Sequence, residues 1–311
     1  MKNFFILLIF FFFHSENILS SEKKIEILFK VNENIISNVD IINEAKYLKT
    51  LNKGLENLNV NEILKFAKNS LIKEMIKKDE IEKFYNIDYS SKEVDIYIER
   101  LFKGLGFNDI SEFKDYLSKN NIKIEDLRKK LVIEKSWNTL IYEIYNKNVI
   151  INKDEILKNL DEIIKKDSFQ KSFELSEIVF SEKNKDNFEQ KYKDIVDDIR
   201  KLGFNEAAII HSISDTSSIG GKIGWINQSQ LSKKIYEEIK NLEIGNYSNP
   251  ITTAGGSLIL RINDIKQVIN NQIDKEKELR NMIESERNRQ LKEYSIIHYK
   301  KIENISYVKQ I

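Results

Sequence analysis

Proline occurs only once in this chain of 311 residues, at Pro250. Proline interrupts helices because its ring removes a backbone hydrogen-bond donor and clashes with the preceding turn. A chain almost without proline can therefore form long helices over most of its length. Apolar residues recur at helical spacing from about residue 37 to residue 165, which predicts several amphipathic helices in this part.

Short motifs predict where the helical part and some of its helices begin. The stretch "KIEILFKVNENIIS" alternates like a short hairpin with its turn at residues 32–34, and Ser37 or Asn38 follows as the expected cap of the first helix. Two later pairs have the spacing of a capping box, in which each residue bonds the backbone of the other. These pairs are Ser90 with Glu93 and Asn152 with Glu155.

The pattern changes after residue 168, where an α+β unit is expected. Phe173, Leu175 and Phe180 predict a strand, and the amphipathic helix that follows should end at Gly203. A second helix, a glycine turn and a short helix stopped by Gly245 come next. Two strands, "YSNPITTAG" and "GSLILRIND", complete the unit.

The stretch "SIGGKIGW", Ser218 to Trp225, is the one place where glycines surround a lysine. A phosphate-binding loop needs a Ser or Thr after that lysine, at the start of a helix, whereas Lys222 is followed by Ile223 and Gly224. No nucleotide is therefore expected. The glycines are interpreted as residues of a turn with close backbone approach, and Trp225 as a core anchor.

The N-terminus has the three-part plan of a secretory signal peptide over residues 1–21. Lys2 precedes an apolar run from Phe4 to Phe13, and Ser20 and Ser21 offer a cleavage point. The run is short for a membrane span, so cleavage is preferred over an uncleaved anchor, with no integral membrane span afterwards.

The chain has no cysteine, which excludes disulfides and suits a bacterial envelope protein. Lys and Arg total 50 against 49 Asp and Glu, which argues against nucleic acid as a partner.

The middle of the chain resembles the parvulin-type peptidyl-prolyl isomerase domain. The resemblance is carried by the strand and long helix, then by His211-Ser212, "GGKIGW", "GNYSNPI", Gly255-Gly256 and Ile259-Leu260 in that order. It implies that the glycine turn leads into the rim of a proline pocket. It also implies that prolyl isomerisation, with a barrier of roughly 20 kcal/mol set by amide resonance, is the reaction to consider.

Parvulins carry a histidine on the first strand and a second on the last, and the resemblance places Glu177 and Leu258 at these positions. Both histidines are therefore missing. Glu177 is either a functional substitute or, as we expect, a solvent-facing strand carboxylate. The family's Cys or Asp falls near Ser214 or Asp215, and its Thr at Thr253. The candidate catalytic residues are Glu177, Asp215 and Thr253.

The resemblance also assigns an apolar pocket for substrate. Leu231 stands at the family's Met or Leu position, Ile235 at its Phe position, and Leu258 and Trp225 complete the candidate substrate-binding set. None of the three histidines belongs to this set. His14 lies in the signal-like segment, His211 is expected to make a structural hydrogen bond, and His298 has no evident partner. No metal or cofactor site is expected, because no cluster of metal ligands is present.

The flanking segments resemble the SurA-type periplasmic chaperone. "VNENIISNVDIINEAKYL" is similar to the start of that family, and "LKEYSIIHYKKIENISYVK" to its C-terminal helix and last strand. In that family the two ends form a helical chaperone module into which parvulin domains are inserted. The implied fold is α+β, with a helical domain at 22–168, a parvulin-like domain at 169–267, and a C-terminal helix and strand at 268–311 packing back on the N-terminal domain.

The C-terminal segment is expected to pack on the helices before residue 165 and not on the parvulin-like domain. The reason is a helical stripe too long for the compact unit to cover. The stripe consists of Leu291, Tyr294, Ile297, His298 and Ile302. The strand-like "ISYV" needs an edge to pair with, and "EILFKV" or "NIIS" offers one.

The leading interpretation is a periplasmic chaperone that holds unfolded outer-membrane proteins, or other exported polypeptides, with a degenerate isomerase site. Clients would bind in a groove between the helical module and the parvulin domain. An active prolyl isomerase with a remodelled site is the alternative, and an envelope scaffold that binds a native partner is a third. Whether the chain is an enzyme stays open at this point.

Overall fold

The computed structural model describes residues 24–166, 169–181, 185–269 and 274–311. The expected signal peptide and its cleavage point lie outside these residues. The fold is α+β, as the sequence predicts. A helical module of residues 24–166 precedes a sheet unit of residues 169–181 and 185–269, and a long helix and a short strand follow.

The chain enters the helical module through the expected hairpin. Strands β1 (Ile27–Val31) and β2 (Asn34–Ser37) pair antiparallel, and Asn32 takes the left-handed conformation (φ 51°) that the tight turn requires. Ser37 then caps the first helix, accepting from the backbone N–H of Asp40, whose carboxylate accepts from Ser37 in return. This reciprocal pair is a capping box, so the predicted start of the helix is confirmed.

Six helices build the rest of the helical module. They are α1 (Asn38–Leu51), α2 (Val60–Glu82), α3 (Val94–Gly104), α4 (Ile110–Lys119), α5 (Ile124–Tyr145) and α6 (Lys153–Lys166). The apolar faces of the first five helices meet in two clusters, one around the fully buried Trp137 and one around the fully buried Phe113. Helix α6 instead contacts the strand at 169–180 and the long C-terminal helix. Burial of such stripes is the main source of helix stability in a folded chain.

Of the two capping boxes expected further along, one is found in part, because the Glu155 carboxylate accepts from the side-chain amide of Asn152. The backbone N–H of Glu155 donates to Asn152 Oδ1 at 3.1 Å at the start of α6. The prediction for Ser90 is wrong, since α3 begins four residues later, at Val94. The backbone N–H and the hydroxyl of Ser90 both donate to Asp88 Oδ1, so a local turn takes the place of the cap.

The sheet unit consists of a four-stranded antiparallel sheet and three helices. Its elements are β3 (Phe169–Phe180), α7 (Lys185–Leu202), α8 (Phe204–His211), β4 (Lys222–Asn227), α9 (Lys233–Ile239), β5 (Ile251–Thr253) and β6 (Gly256–Ile269). The strand order is β4-β3-β6-β5. Helix α7 ends before Gly203 as expected, whereas α9 ends at Ile239, well before Gly245.

Helix α10 (Lys275–Ile305) and strand β7 (Val308–Gln310) close the chain. Strand β7 pairs antiparallel with β1, as in the pair Lys30 and Lys309, and gives a three-stranded sheet of order β2-β1-β7. The pairing predicted for the C-terminal strand is therefore confirmed.

Helix α10 does not pack on the helical module alone. On one side Trp137 Nε1 donates to Ser295 Oγ at 2.8 Å. On the other side Ile296 is buried in the core of the sheet unit. The expectation that this helix avoids the sheet unit is wrong, and so is the assignment of Ile297 to the buried stripe, because Ile297 is 44% exposed and Ile296 only 5%.

Candidate functional site

The apolar part of the candidate site is a cluster on one face of the four-stranded sheet. Leu258 in β6 is buried there, and Leu231 and Ile235, from the start of α9 and the residues before it, pack against the same cluster half-buried. Three of the four predicted substrate-binding residues therefore lie together. Such a group of aliphatic side chains gives an apolar environment of the kind a proline ring would need.

Trp225 does not belong with these three residues. Its side chain is 39% exposed, and the ammonium group of Lys266 lies 4.0 Å from the centroid of its indole ring. The expectation that Trp225 anchors the core is wrong. The pairing of β3 with β4 shifts register between Leu175 and Ser176, and such an irregularity changes which side chains of a strand face the core.

Glu177 lies in the middle of β3 and is 4% exposed, so it is not the solvent-facing carboxylate that we expected. Its Oε1 accepts hydrogen bonds from Ser214 Oγ and Thr216 Oγ1, both at 2.7 Å, and from Lys292 Nζ. A buried carboxylate is costly unless it is paired and hydrogen-bonded. These three donors, one of them charged, satisfy it.

The glycine turn packs against the backbone of Glu177. The N–H of Glu177 donates to the carbonyl of Gly221 at 2.8 Å. A Cβ placed on Gly221 would lie 2.2 Å from the carbonyl oxygen of Glu177, and the φ of Gly221 is +74°. Only glycine meets both conditions. The turn therefore brings the backbone close to β3, as the sequence suggested, and positions the segment that carries Ser214 and Thr216.

Asp215 faces the helical module. Its Oδ1 accepts from Lys77 Nζ at 2.8 Å, and its Oδ2 from Ser295 Oγ at 3.0 Å. Burial alone would raise the pKa of Asp215, but the ammonium groups of Lys77 and Lys73, with the bonds from Lys77 and Ser295, lower that pKa to about 2. Asp215 is therefore a carboxylate at neutral pH and does not act as an acid there.

Lys77 and Lys73, both on α2, complete this junction. Burial lowers the pKa of Lys77, but the carboxylates of Asp215 and Glu134 outweigh burial and raise it to about 12. The pKa of Lys73 is lowered, by burial first and then by the neighbouring charge of Lys77. Lys73 Nζ donates to the carbonyl of Ile213 at 3.3 Å. Two lysines of the helical module thus bind the loop that carries Asp215.

Thr253 is hydrogen-bonded within its own turn. Its hydroxyl donates to the carbonyl of Gly256 at 2.8 Å, within the turn between β5 and β6. The hydroxyl of Thr253 is therefore used within the turn. Glu177 and Asp215 instead both contact α10, Glu177 through Lys292 and Asp215 through Ser295.

Helix α10 supplies site residues that the sequence did not indicate. Four of its side chains contact the sheet unit: Lys292, Ser295, Ile296 and Lys300. Lys300 Nζ donates to the carbonyl of Gly255 at 3.3 Å, and Ile296 lies in the cluster with Leu258. No local signal marks these residues, because their partners are far away in the sequence.

His211 and His298, the two histidines that the structure describes, both have structural partners. His211 Nε2 lies 2.7 Å from Asp198 Oδ2, the kind of bond expected for it. Burial, followed by the charge of Lys191, lowers the pKa of His211 despite this carboxylate. His298, for which no partner was expected, lies 2.8 Å from Tyr145 Oη and 3.1 Å from Glu80 Oε1.

The described part of the chain contains neither a cluster of metal ligands nor a membrane-spanning helix. Among its residues, no group of three or more His, Asp or Glu side chains is arranged to hold a metal ion. No helix in this part has both the length and the apolar character needed to cross a bilayer.

The sheet unit, together with the second half of α6, matches a known family. Residues 158–264 match the rotamase family, described as a PPIC-type peptidyl-prolyl isomerase domain. The chain carries a parvulin-type domain. The four-stranded sheet, its three helices and the glycine turn are that parvulin domain, and the cluster around Leu258 lies within it.

The chain is also similar in sequence to chaperones named SurA. It is 34% identical over 61 residues to one from Pseudomonas aeruginosa, covering 20% of this chain and 15% of that protein. It is 22% identical over 158 residues to one from Pseudomonas fluorescens, covering 49% of this chain and 37% of that protein. The matches thus span well under half the length of either relative.

A solved structure from Campylobacter jejuni is similar over most of the chain. It comes from a description of PEB4 and Cj1289 as two structurally related SurA-like chaperones. The identity is 14%, the match covers 92% of this chain and 98% of that chain, and the TM-score is 0.36. A likeness at this level says nothing about what the present chain binds.

Proposed function

We propose that this chain is an exported chaperone that holds unfolded polypeptides, outer-membrane proteins above all, in the periplasm. Support comes from the sequence similarity to two proteins named chaperone SurA and from the signal-like run Phe4–Phe13. The domain limits that belong to this proposal are 22–168 and 268–311 for the chaperone module, and 169–267 for the parvulin domain.

We also propose that the parvulin domain has little or no isomerase turnover. The observation that carries this proposal is the state of Glu177, which stands where the family resemblance places a histidine. Its carboxylate is buried and accepts bonds from Ser214, Thr216 and Lys292. A carboxylate so engaged cannot favour a twisted amide as a free polar group would. Leu258, at the second histidine position, has no polar atom in its side chain.

The three-stranded sheet offers a surface for unfolded clients. Its two outer strands, β2 and β7, each have one edge without a partner strand among the described residues. Exposed apolar side chains surround these strands: Ile27, Ile35, Tyr307, Val308 and Ile311. An extended client segment can pair with a free strand edge and place its apolar side chains beside these residues.

One preparation should be used to test both activities. Light scattering would follow the aggregation of a urea-denatured outer-membrane protein on dilution, with and without the chain, and isomerisation of a prolyl tetrapeptide would be measured alongside. We expect suppression of aggregation with weak or absent isomerisation. Isomerisation at the rate of an ordinary parvulin, abolished by Asp215→Ala, would instead support the active enzyme with a remodelled site.

A matched pair of variants tests the client surface. Ile35→Ser with Val308→Ser should weaken the holding of clients, while Ile96→Ser with Tyr97→Ser, at exposed apolar positions on α3, should leave it unchanged. Equal effects of the two double variants would argue against the sheet as the binding surface. Binding of a native envelope protein, without any holding of unfolded chains, would favour the scaffold interpretation.

Two further experiments address the site and the location. Glu177→His with Leu258→His restores both family histidines, so a gain of isomerisation by this double variant would attribute the missing activity to these positions.

Release of the mature protein by osmotic shock, with an N-terminus at or near Ser21 or Glu22, is expected for a periplasmic protein. Recovery only from the detergent-extracted membrane would contradict that location.

A further inference from the structure

Ile296 is buried on a helix that is otherwise mostly polar. It is 5% exposed and belongs to the same apolar cluster as Leu258 and Ile251 in the parvulin domain. Leu231 and Ile235, the predicted pocket residues, pack against this cluster as well. A side chain from α10 therefore occupies the apolar region in which a bound proline would be expected.

The turn between β5 and β6 lies directly against this side chain. A Cβ built on Gly255 would be 3.6 Å from the Cβ of Ile296 and 3.2 Å from its Cδ1. The next residue on the helix, Ile297, is 44% exposed. The contact is thus confined to one face of α10.

Two lysines flank Ile296 on the same face of the helix. Lys292 lies four residues before it and Lys300 four residues after it, a spacing that aligns side chains along a helix. Lys292 Nζ donates to the carboxylate of Glu177, and Lys300 Nζ donates to the carbonyl of Gly255 at 3.3 Å. Between them, Ser295 Oγ donates to Asp215 at 3.0 Å. The helix face thus presents a cation, an apolar group and a second cation to the parvulin domain.

We propose that this face of α10 is an internal ligand that closes the pocket of the parvulin domain. An external peptide binds there only after α10 has moved away. The peptide class is set by the groups that α10 now satisfies. It is an apolar residue flanked by Lys or Arg, because Glu177 loses the ammonium of Lys292 when α10 leaves and needs another cation in its place. This inference does not depend on the holding of unfolded clients.

Closure should weaken binding by a calculable factor. The apparent dissociation constant for an external ligand is the intrinsic one divided by the open fraction of molecules. If α10 is docked in nine molecules of ten or more, opening the pocket should tighten binding by about tenfold or more.

The first experiment opens the pocket by substitution. Fluorescence anisotropy of a fluorescein-labelled peptide containing Lys-Leu-Pro-Lys would be compared for the full native chain, Ile296→Ser and Ile297→Ser. We expect about tenfold tighter binding by Ile296→Ser and no change for Ile297→Ser. A peptide with both lysines replaced by glutamate should show no gain. Equal affinity of the native chain and a folded Ile296→Ser variant would overturn the proposal.

The second experiment opens and closes one molecule, which matters if Ile296→Ser fails to fold. The chain has no cysteine, and a Cβ–Cβ separation of 3.6 Å at Gly255 and Ile296 falls within the range of natural disulfides. Gly255→Cys with Ile296→Cys should therefore form a disulfide under mild oxidation. Gly255→Cys with Ile297→Cys, on the adjacent and exposed position, should not.

The oxidised double variant should bind the basic peptide about tenfold or more weakly than its reduced form. Failure of the disulfide to form would show that α10 does not lie on Gly255. A disulfide that forms without changing peptide binding would show that the contact does not close the pocket. Either result overturns the proposal. The aggregation assay is independent of both, so a failure of the proposed chaperone function would appear there with the peptide results intact.

Discussion

Lys77 and Asp215 form an ion pair between the helical module and the parvulin domain, with 2.8 Å between Nζ and Oδ1. The side chain of Lys77 is almost completely buried, and its ammonium also donates to Glu134 at 2.7 Å. Ser295 Oγ donates to the second oxygen of Asp215. Helices α2, α5 and α10 and the loop after α8 thus meet at one group of charges.

Removal of the cation should be costly. In Lys77→Met, Asp215 and Glu134 keep their negative charges without the shared ammonium, and breaking a buried pair by removing one partner costs about 3–5 kcal/mol. We expect the lower end of this range, because Glu134 is partly exposed. Urea unfolding at pH 7, followed by circular dichroism, gives the loss in the free energy of unfolding.

Lys78→Met is the matched control for this variant. Lys78 forms an exposed pair with Glu82 one turn away, at 3.7 Å, and pairs of this kind contribute at most about 0.5 kcal/mol. A similar loss for Lys77→Met and Lys78→Met would mean that the junction contributes little to stability.

Acid should weaken the fold through Asp215. Its pKa in the folded chain is about 2, against about 3.9 in an unfolded chain. A lowered pKa means that the unfolded state binds more protons, so the stabilisation is present above pH 4 and is lost as the pH falls towards 2. The difference corresponds to roughly 2–3 kcal/mol.

Urea unfolding between pH 2.5 and pH 7 measures this contribution. The native chain should be more stable than Asp215→Asn at pH 6, and the two free energies of unfolding should converge as the pH falls below 4. A difference that stays constant over the whole range would show that the carboxylate does not titrate as expected.

The features that the sequence predicts correctly depend on residues a few positions apart. The cap of α1 by Ser37, which accepts from the N–H of Asp40, and the bond between Asn152 and Glu155 each join residues three positions apart. The turn at Asn32 and the end of α7 before Gly203 depend on single left-handed residues. Such short-range predictions still fail where another residue lies closer. Asp88 accepts the hydrogen bonds of Ser90, and Ser90 therefore does not cap α3.

The family resemblance locates the parvulin domain and its apolar residues, but not what covers them. The partner of Glu177 on α10 is 115 residues away and that of Asp215 on α2 is 138 residues away. Contacts between residues so far apart in the sequence depend on how the helices pack, and the sequence pattern alone does not indicate them. The choice between Ile296 and Ile297 likewise depends on α10 having neighbours on two sides.

The two tryptophans should behave differently. Trp137 is completely buried and Trp225 is 39% exposed. Acrylamide should therefore quench the fluorescence of Trp225→Phe only weakly, because Trp137 is the tryptophan that remains. It should quench the fluorescence of Trp137→Phe strongly, because Trp225 remains. Trp137→Ala should cost about 3–5 kcal/mol through the cavity it leaves. Trp225→Ala should cost about 1 kcal/mol or less, mainly its contact with Lys266. Similar quenching of both single-tryptophan proteins would contradict the outward position of Trp225.

Gly221 should be the glycine least tolerant of a side chain. In Gly221→Ala the new Cβ would lie 2.2 Å from the carbonyl oxygen of Glu177, an impossible contact, so the turn must move away from β3. The left-handed conformation alone costs alanine roughly 1–2 kcal/mol, and the displaced turn also loses the bond from the N–H of Glu177 to Gly221. We expect a total loss of at least about 2 kcal/mol in urea unfolding.

Gly104→Ala is the control, because Gly104 ends α3 with nothing within 4 Å of the added Cβ. Alanine there should be neutral or stabilising by up to about 1 kcal/mol, as expected from helix propensity. If the two variants were equally stable, the glycine turn would not be held against β3, and the positions of Ser214 and Thr216 around Glu177 would need another explanation.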